Sequence, residues 1–208
     1  MPTLELESLA SAEASSLLIA GLDEAGRGAV AGPVVAASVI LPLGEPGRLA
    51  RLSDVDDSKK LTPRKREMLF DLIIELSLTF GIGAASAEEI DQFGIIGATV
   101  LAMSRATGML NPRPDYLLID GRIRLKDIAL PQQSIIRGDG KSLSIAAASI
   151  LAKVTRDRTM LDHHLHFPAY GFARHKGYCT SYHVDALSQH GPCPIHRRTF
   201  APIRQTLI

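Results

Sequence analysis

The first strong pattern along the chain is an apolar run, Leu18-Ile19-Ala20-Gly21-Leu22, that ends in two adjacent carboxylates, Asp23 and Glu24. A short apolar run bounded by turn residues reads as a buried strand, here over residues 16–23. A second run, Val34 to Leu41, predicts its antiparallel partner across a long glycine-bearing connection. Leu69, Leu72, Ile73 and Leu76 recur at helical spacing behind Thr62-Pro63, which suits an N-cap followed by a first-turn proline. Phe80 to Ala85 reads as a strand, and Ser86 with Glu89 forms a capping box for a short helix. A helix over 95–109 follows, stopped by Asn111-Pro112. Residues 116–119 and 134–136 read as strands, the first running into Asp120 and the second ending before Asp139. Residues 144–162 predict a long helix whose three consecutive alanines let it lie close to a sheet, and 180–189 a last helix. Strands alternating with helices make an α/β domain. Residues 1–16 read as a short, loosely held tail.

The strand that ends in Asp23 and Glu24 also carries the candidate chemistry. Neighbours on a strand face opposite ways, so the two acids can meet one site only where the strand ends. Gly26-Arg27-Gly28 follows at once. Its glycines allow close approach of a ligand to the main chain, and its arginine offers donors suited to phosphate. Asp120 ends another apolar run, and Asp139 sits between Gly138 and Gly140. Aspartates beside glycines also make ordinary turns. Asp157 is an alternative fourth acid, but beside Arg156 and Arg158 on a helix it suits a local ion pair.

Four further stretches settle more than any one of these does: Asp56-Asp57-Ser58-Lys59-Lys60-Leu61, Ile119-Asp120-Gly121, Arg137 to Ser142 running into Ile145 to Asp157, and Tyr170 to Tyr178. With Leu18 to Gly28 ahead of them, in this order, they closely resemble bacterial ribonuclease HII. The resemblance implies a ribonuclease H-like fold, a five-stranded mixed sheet flanked by helices. It implies a catalytic core over 17–160 and a small helical region over 161–208 that completes the substrate site, the two forming one functional domain. It assigns Asp23, Glu24, Asp120 and Asp139 as catalytic metal ligands and favours Asp139 over Asp157. Clustered carboxylates suit hard divalent cations, and two Mg²⁺ or Mn²⁺ ions are expected. Gly26, Arg27 and Gly28 become the reader of a 2′-hydroxyl, Tyr178 a contact to the neighbouring sugar, and Lys59 and Lys176 phosphate contacts. The implied activity is cleavage of the RNA strand of RNA–DNA hybrids, and of duplex DNA on the 5′ side of single ribonucleotides, leaving 5′-phosphate and 3′-hydroxyl ends.

Composition narrows the rest. The chain of 208 residues is 46% hydrophobic and 22% charged, enough for one domain with an ordinary core. Its apolar runs are too short to span a bilayer, and acids near the N-terminus leave no export signal evident. Two cysteines are no disulfide scaffold, so a cytoplasmic protein with reduced thiols is expected, without membrane attachment; a monomer is expected as well. The net charge of +1 argues no nucleic-acid partner by itself. From Met160 onward, however, five basic residues (Arg174, Lys176, Arg197, Arg198, Arg204) face two acids (Asp162, Asp185), a plausible backbone-contacting surface. Cys179, His183, Cys193 and His196 also permit a zinc reading, which the resemblance does not require. Two rivals remain, another enzyme class on the same fold and a non-catalytic nucleic-acid binding module. A DNA nuclease or resolvase would need no 2′-hydroxyl reader, and a non-catalytic binding module would have no use for four acids.

Overall fold

A computed structural model describes residues 1–14 and 18–206. In chain order it runs α1 (Glu5–Ala14), β1 (Ile19–Ala25), β2 (Val34–Ile40), α2 (Pro46–Ala50), α3 (Pro63–Leu76), β3 (Thr79–Ala85), α4 (Ala87–Gly108), β4 (Tyr116–Asp120), β5 (Gln132–Ile135), α5 (Leu143–His166), α6 (Phe172–His175), α7 (Ser181–His190) and α8 (Ala201–Thr206). The five strands form one sheet in the order β3-β2-β1-β4-β5. β1 pairs antiparallel with β2 and parallel with β4, so the sheet is mixed, as the resemblance implies.

Each face of the sheet carries its own apolar core. Ala20, Leu22, Leu117 and Ile119 join Ala98, Ala102 and Met103 of α4 on one side. Ala37 and Val39 join Leu69 and Ile73 of α3 and Ala147, Leu151 and Val154 of α5 on the other. α5 crosses β1 so closely that a Cβ added at Gly21 would lie 2.2 Å from the Ser144 backbone carbon. Side chains alternate across a strand. With Leu22 and Ile119 turned toward α4, Asp23 and Asp120 are turned toward α5.

The helix starts follow the sequence. Thr62 caps α3 through the Lys65 N–H, and Ser86 and Glu89 form the reciprocal capping box of α4. Gly94 (φ 70°, ψ 164°) breaks α4 between the short helix and the longer one expected after it. Ser142 caps α5 by accepting from the Ile145 N–H.

Three expectations need correction. Residues 5–14 are a helix rather than a loose tail, and Glu7 on it is fully buried. β1 does not stop at the acids: it continues through Asp23 and Glu24 to Ala25, while its expected start at Ser16 lies outside the described residues. The division at 160/161 falls inside α5, and Met160 packs with Val30, Ala31, Tyr170, Phe172 and Leu187 in a third core. That core joins the C-terminal helices to the segment just after the Gly26-Arg27-Gly28 turn. Among the described residues no helix is long and apolar enough to cross a membrane.

Candidate active site

β1 and β4 pair in register from Ile19↔Tyr116 to Leu22↔Ile119. One residue further along both strands lie Asp23 and Asp120. They therefore stand side by side at the carboxyl ends of two neighbouring parallel strands, the usual place for a site in an α/β sheet. Asp139 joins them through a single turn. The Gly138 N–H donates to Asp120 Oδ1 at 2.6 Å, and residues 138–140 form one turn of 3-10 helix before Ser142 starts α5. Asp23 Oδ1 accepts the Glu24 N–H at 2.7 Å. Lys59 also reaches the cluster, its Nζ 3.2 Å from Asp139 Oδ2. The Ser58 N–H bonds to Ser149 Oγ on α5 and holds that segment in place.

The electrostatics match crowded acids. Burial, reinforced by the negative charges of Glu24 and Asp120, holds the Asp23 carboxyl well above the usual carboxylate range. Burial raises Glu24 too, against the opposing pull of Arg27, whose Nη1 lies 3.2 Å from Glu24 Oε1. Burial raises Asp120, against the hydrogen bond from Gly138. Partial burial works against the Lys59 ammonium, but its bond to Asp139 prevails and its pKa is raised. Among the described residues no three such ligands converge tightly enough, as they stand, to hold one ion. The donor set nevertheless fits hard cations: all the ligands are carboxylate oxygens, and Glu24 Oε2 is buried without a partner.

The connection from β1 to β2 is held by two fully buried arginines. Arg197 donates to the carbonyls of Gly26 (2.7 Å), Arg27 (2.9 Å) and Gly32 (3.0 Å). Arg156 donates to the carbonyls of Pro33 (2.9 Å), Lys176 (3.0 Å) and Ala31 (3.1 Å). Gly26 has φ 93°, and a Cβ there would lie 1.9 Å from Arg156 Nε, so both conformation and space demand glycine. A Cβ at Gly28 meets nothing within 4 Å. The other side of Arg156 faces the half-exposed Tyr178, with the guanidinium carbon 5.4 Å from the ring centroid. One arginine thus sits between the turn and Tyr178.

The ribonuclease HII family model matches residues 20–203. The chain belongs to the ribonuclease HII family. It is 50% identical over 205 residues to the ribonuclease HII of Geotalea daltonii, covering 98% of this chain and 92% of that one. It is 52% identical over 202 residues to that of Geotalea uraniireducens, covering 97% and 90%. Among solved structures, that of ribonuclease H2 from Pyrococcus horikoshii OT3 superimposes with a TM-score of 0.76 at 28% identity, covering 90% of this chain and 96% of that one. Membership in the ribonuclease HII family makes the chain a ribonuclease H-type endonuclease, a hydrolase.

Within this ribonuclease HII chain, the structure brings Asp23, Glu24, Asp120, Asp139 and Lys59 together. It engages Arg27 with Glu24 and folds the Lys176 ammonium back onto the Ala173 carbonyl. Asp157 pairs with Lys153 at 2.7 Å, the local role expected of it. Arg197 corrects the basic-surface reading, because it is a buried clamp while its neighbour Arg198 is exposed. Sequence reasoning missed Arg156 as well. Its signal was available: Ala148, Ala152, Arg156 and Met160 are spaced four apart along α5 and all are fully buried.

Three of the four residues of the zinc reading, His183, Cys193 and His196, form a hydrogen-bonded chain instead. Cys179 is exposed. His183 Nδ1 donates to the Tyr178 carbonyl at 3.0 Å, which leaves Nε2 to accept from His196 Nε2 at 3.0 Å. His196 Nδ1 then accepts the Cys193 N–H at 2.9 Å. Both rings are neutral in this arrangement, and burial pushes each pKa down to about 4. An unfolded histidine titrates near 6.5, at about its unperturbed value. Between these values the unfolded chain binds protons that the folded chain does not, so this contribution to stability is lost as the pH falls. The buried acids act in the opposite sense. The expected result is therefore a difference: urea unfolding from pH 7 to pH 5 should cost the parent more stability than it costs a folded His196→Gln variant. Equal slopes would contradict it.

Proposed function

We propose that this chain hydrolyses the RNA strand of RNA–DNA hybrids and cuts duplex DNA on the 5′ side of a single embedded ribonucleotide, leaving 5′-phosphate and 3′-hydroxyl ends. The observation that carries the reading is the placement of the acid cluster near the end of β1, directly before a turn whose Gly26 and Arg27 carbonyls are bonded by Arg197 and against which Arg156 packs. Asp23, Glu24, Asp120 and Asp139 are the residues that would hold two divalent cations, Mg²⁺ or Mn²⁺. When bound, such ions activate water and offset charge on the scissile phosphate.

The remaining work belongs to the protein. Lys59 neutralises Asp139 in the free enzyme and is placed to release it for a phosphate oxygen. Gly26, Arg27 and Gly28 offer main-chain groups to a 2′-hydroxyl, the group that separates RNA from DNA. The Gly26 and Arg27 carbonyls are held by Arg197, so little ordering remains to be done when a sugar arrives. Tyr178, backed by Arg156 and Lys153, presents a ring face to the adjoining sugar. Lys176 adds positive charge along the strand. The reading includes a monomer at work in the cytoplasm, in keeping with two cysteines that form no disulfide.

A digest of an end-labelled RNA–DNA hybrid beside the matching all-DNA duplex tests this. Mg²⁺-dependent cleavage of the RNA strand alone, with ligatable 5′-phosphate ends, is expected. Cleavage of both duplexes would favour the DNA nuclease, and binding without cleavage the non-catalytic module.

A further inference from the structure

The start of α5 is fastened to the N-terminal helix through Glu7. Glu7 Oε1 accepts from Ser142 Oγ (2.6 Å), Ser144 Oγ (2.7 Å) and the Ser144 N–H (2.8 Å). That N–H is one of the helix-start donors with no intrahelical partner, and the helix dipole favours a carboxylate there. Thr3 completes the attachment. Its N–H donates to the Lys141 carbonyl at 3.0 Å, and its carbonyl accepts the Leu143 N–H at 2.9 Å.

The same few residues set the positions of the acids. The Ser142 N–H donates to the Gly138 carbonyl at 2.8 Å, and the Gly138 N–H donates to Asp120, with Asp139 next in the chain. Ser144 packs against Gly21, where an added Cβ would lie 2.5 Å from Ser144 Oγ, two residues before Asp23. The fully buried Glu7 carboxylate leaves Oε2 without a partner. Burying a charge among neutral donors is costly if stability is its only return. Glu7 also lies outside the residues matched by the family model.

We propose that Glu7 is a positioning residue for the metal site: through Ser142 and Ser144 it sets the spacing of Asp139 and Asp120 relative to Asp23. The inference rests on the reading of these acids as cation ligands.

Mn²⁺ binding, read as free Mn²⁺ by electron paramagnetic resonance, tests it without reference to turnover. Partners outside the ligand shell typically change metal affinity by about 10- to 100-fold, and Glu7→Ala should weaken binding by about tenfold, the low end of that range. Glu7→Gln, whose amide oxygen accepts the same bonds, should keep most of the affinity. Ser142→Ala leaves the Glu7 charge in place but removes a contact, and should weaken binding as well. Circular dichroism establishes that each variant is folded. Parent-like affinity in a folded Glu7→Ala would overturn the inference. So would parent-like affinity in Ser142→Ala, which would leave Glu7 a distant charge; that arm decides the matter if Glu7→Ala does not fold. Asp139→Asn separates the two levels of the argument: if it also binds Mn²⁺ like the parent, the ligand assignment has failed and the inference falls with it.

Discussion

Asp23→Asn is expected to lose cleavage by more than about 100-fold, the upper end of the loss seen when a residue merely supports a metal ligand, and to melt at a higher temperature than the parent without metal. The two effects share one cause. Asp23 is buried beside Glu24 and Asp120, and its pKa is raised. A folded-state pKa above the unfolded value means that ionisation costs stability as the pH rises through that window, and the metal-free fold bears this cost at neutral pH. Asparagine has a similar shape and no charge, and it removes that repulsion. Mg²⁺ should raise the Tm of the parent, because it binds the folded state, and should do so much less for the variant. Near-normal turnover would remove Asp23 from the site. A lower metal-free Tm in a correctly folded variant would show that the acids are not repelling one another.

Arg197→Met should destabilise the protein by about 3 kcal/mol, the order set by three carbonyls that each lose a donor. Three carbonyls, those of Gly26, Arg27 and Gly32, lose a charged donor inside the protein. An unpaired buried polar group costs about 1–3 kcal/mol, and relief from burying the guanidinium offsets part of the sum. Burial already holds the Arg197 pKa down at about 9, with the nearby positive charge of Arg156 adding to the shift. Arg198→Met is the control. Its side chain is exposed, and a surface substitution of this kind typically changes stability by no more than about 0.5 kcal/mol. Urea unfolding of the pair measures the difference. Similar midpoints would mean that Arg197 does not clamp the turn.

Elements whose burial follows a local period were legible in the sequence. β1, β2, α3 and α5 each bury a run or stripe that one stretch of chain displays, and Thr62 and Ser86 mark helix starts by their own chemistry. The meeting of Asp23 with Asp120 was not legible from spacing alone. It depends on the β1–β4 register, which 97 positions of separation leave undetermined until both strands bury the same face. α1 was missed because an acid on a short helix reads as solvent-facing, and the donors that accommodate Glu7 lie about 135 residues away on α5. Arg197 carried no signal at all. It sits in an aperiodic loop beside an exposed arginine, and its burial is decided by carbonyls at the other end of the chain. The acids themselves were found because several motifs occurred together in one order, which no single spacing could have provided.

The central claim is that the turn after Asp23 and Glu24 reads a 2′-hydroxyl and seats the phosphate beside the acids. The most direct measurement uses two duplexes that differ only at one position, ribonucleotide in one and deoxyribonucleotide in the other, digested with Mg²⁺ by the parent and by Gly28→Val. The structure makes the variant informative, since a Cβ at Gly28 meets no protein atom within 4 Å and should leave the fold intact. The account expects the parent to cut only the ribonucleotide duplex, on its 5′ side, and the folded variant to cut it far more slowly, because its side chain stands where the sugar approaches. Equal cleavage of the two duplexes by the parent, or unchanged cleavage of the ribonucleotide duplex by a folded Gly28→Val, would contradict it.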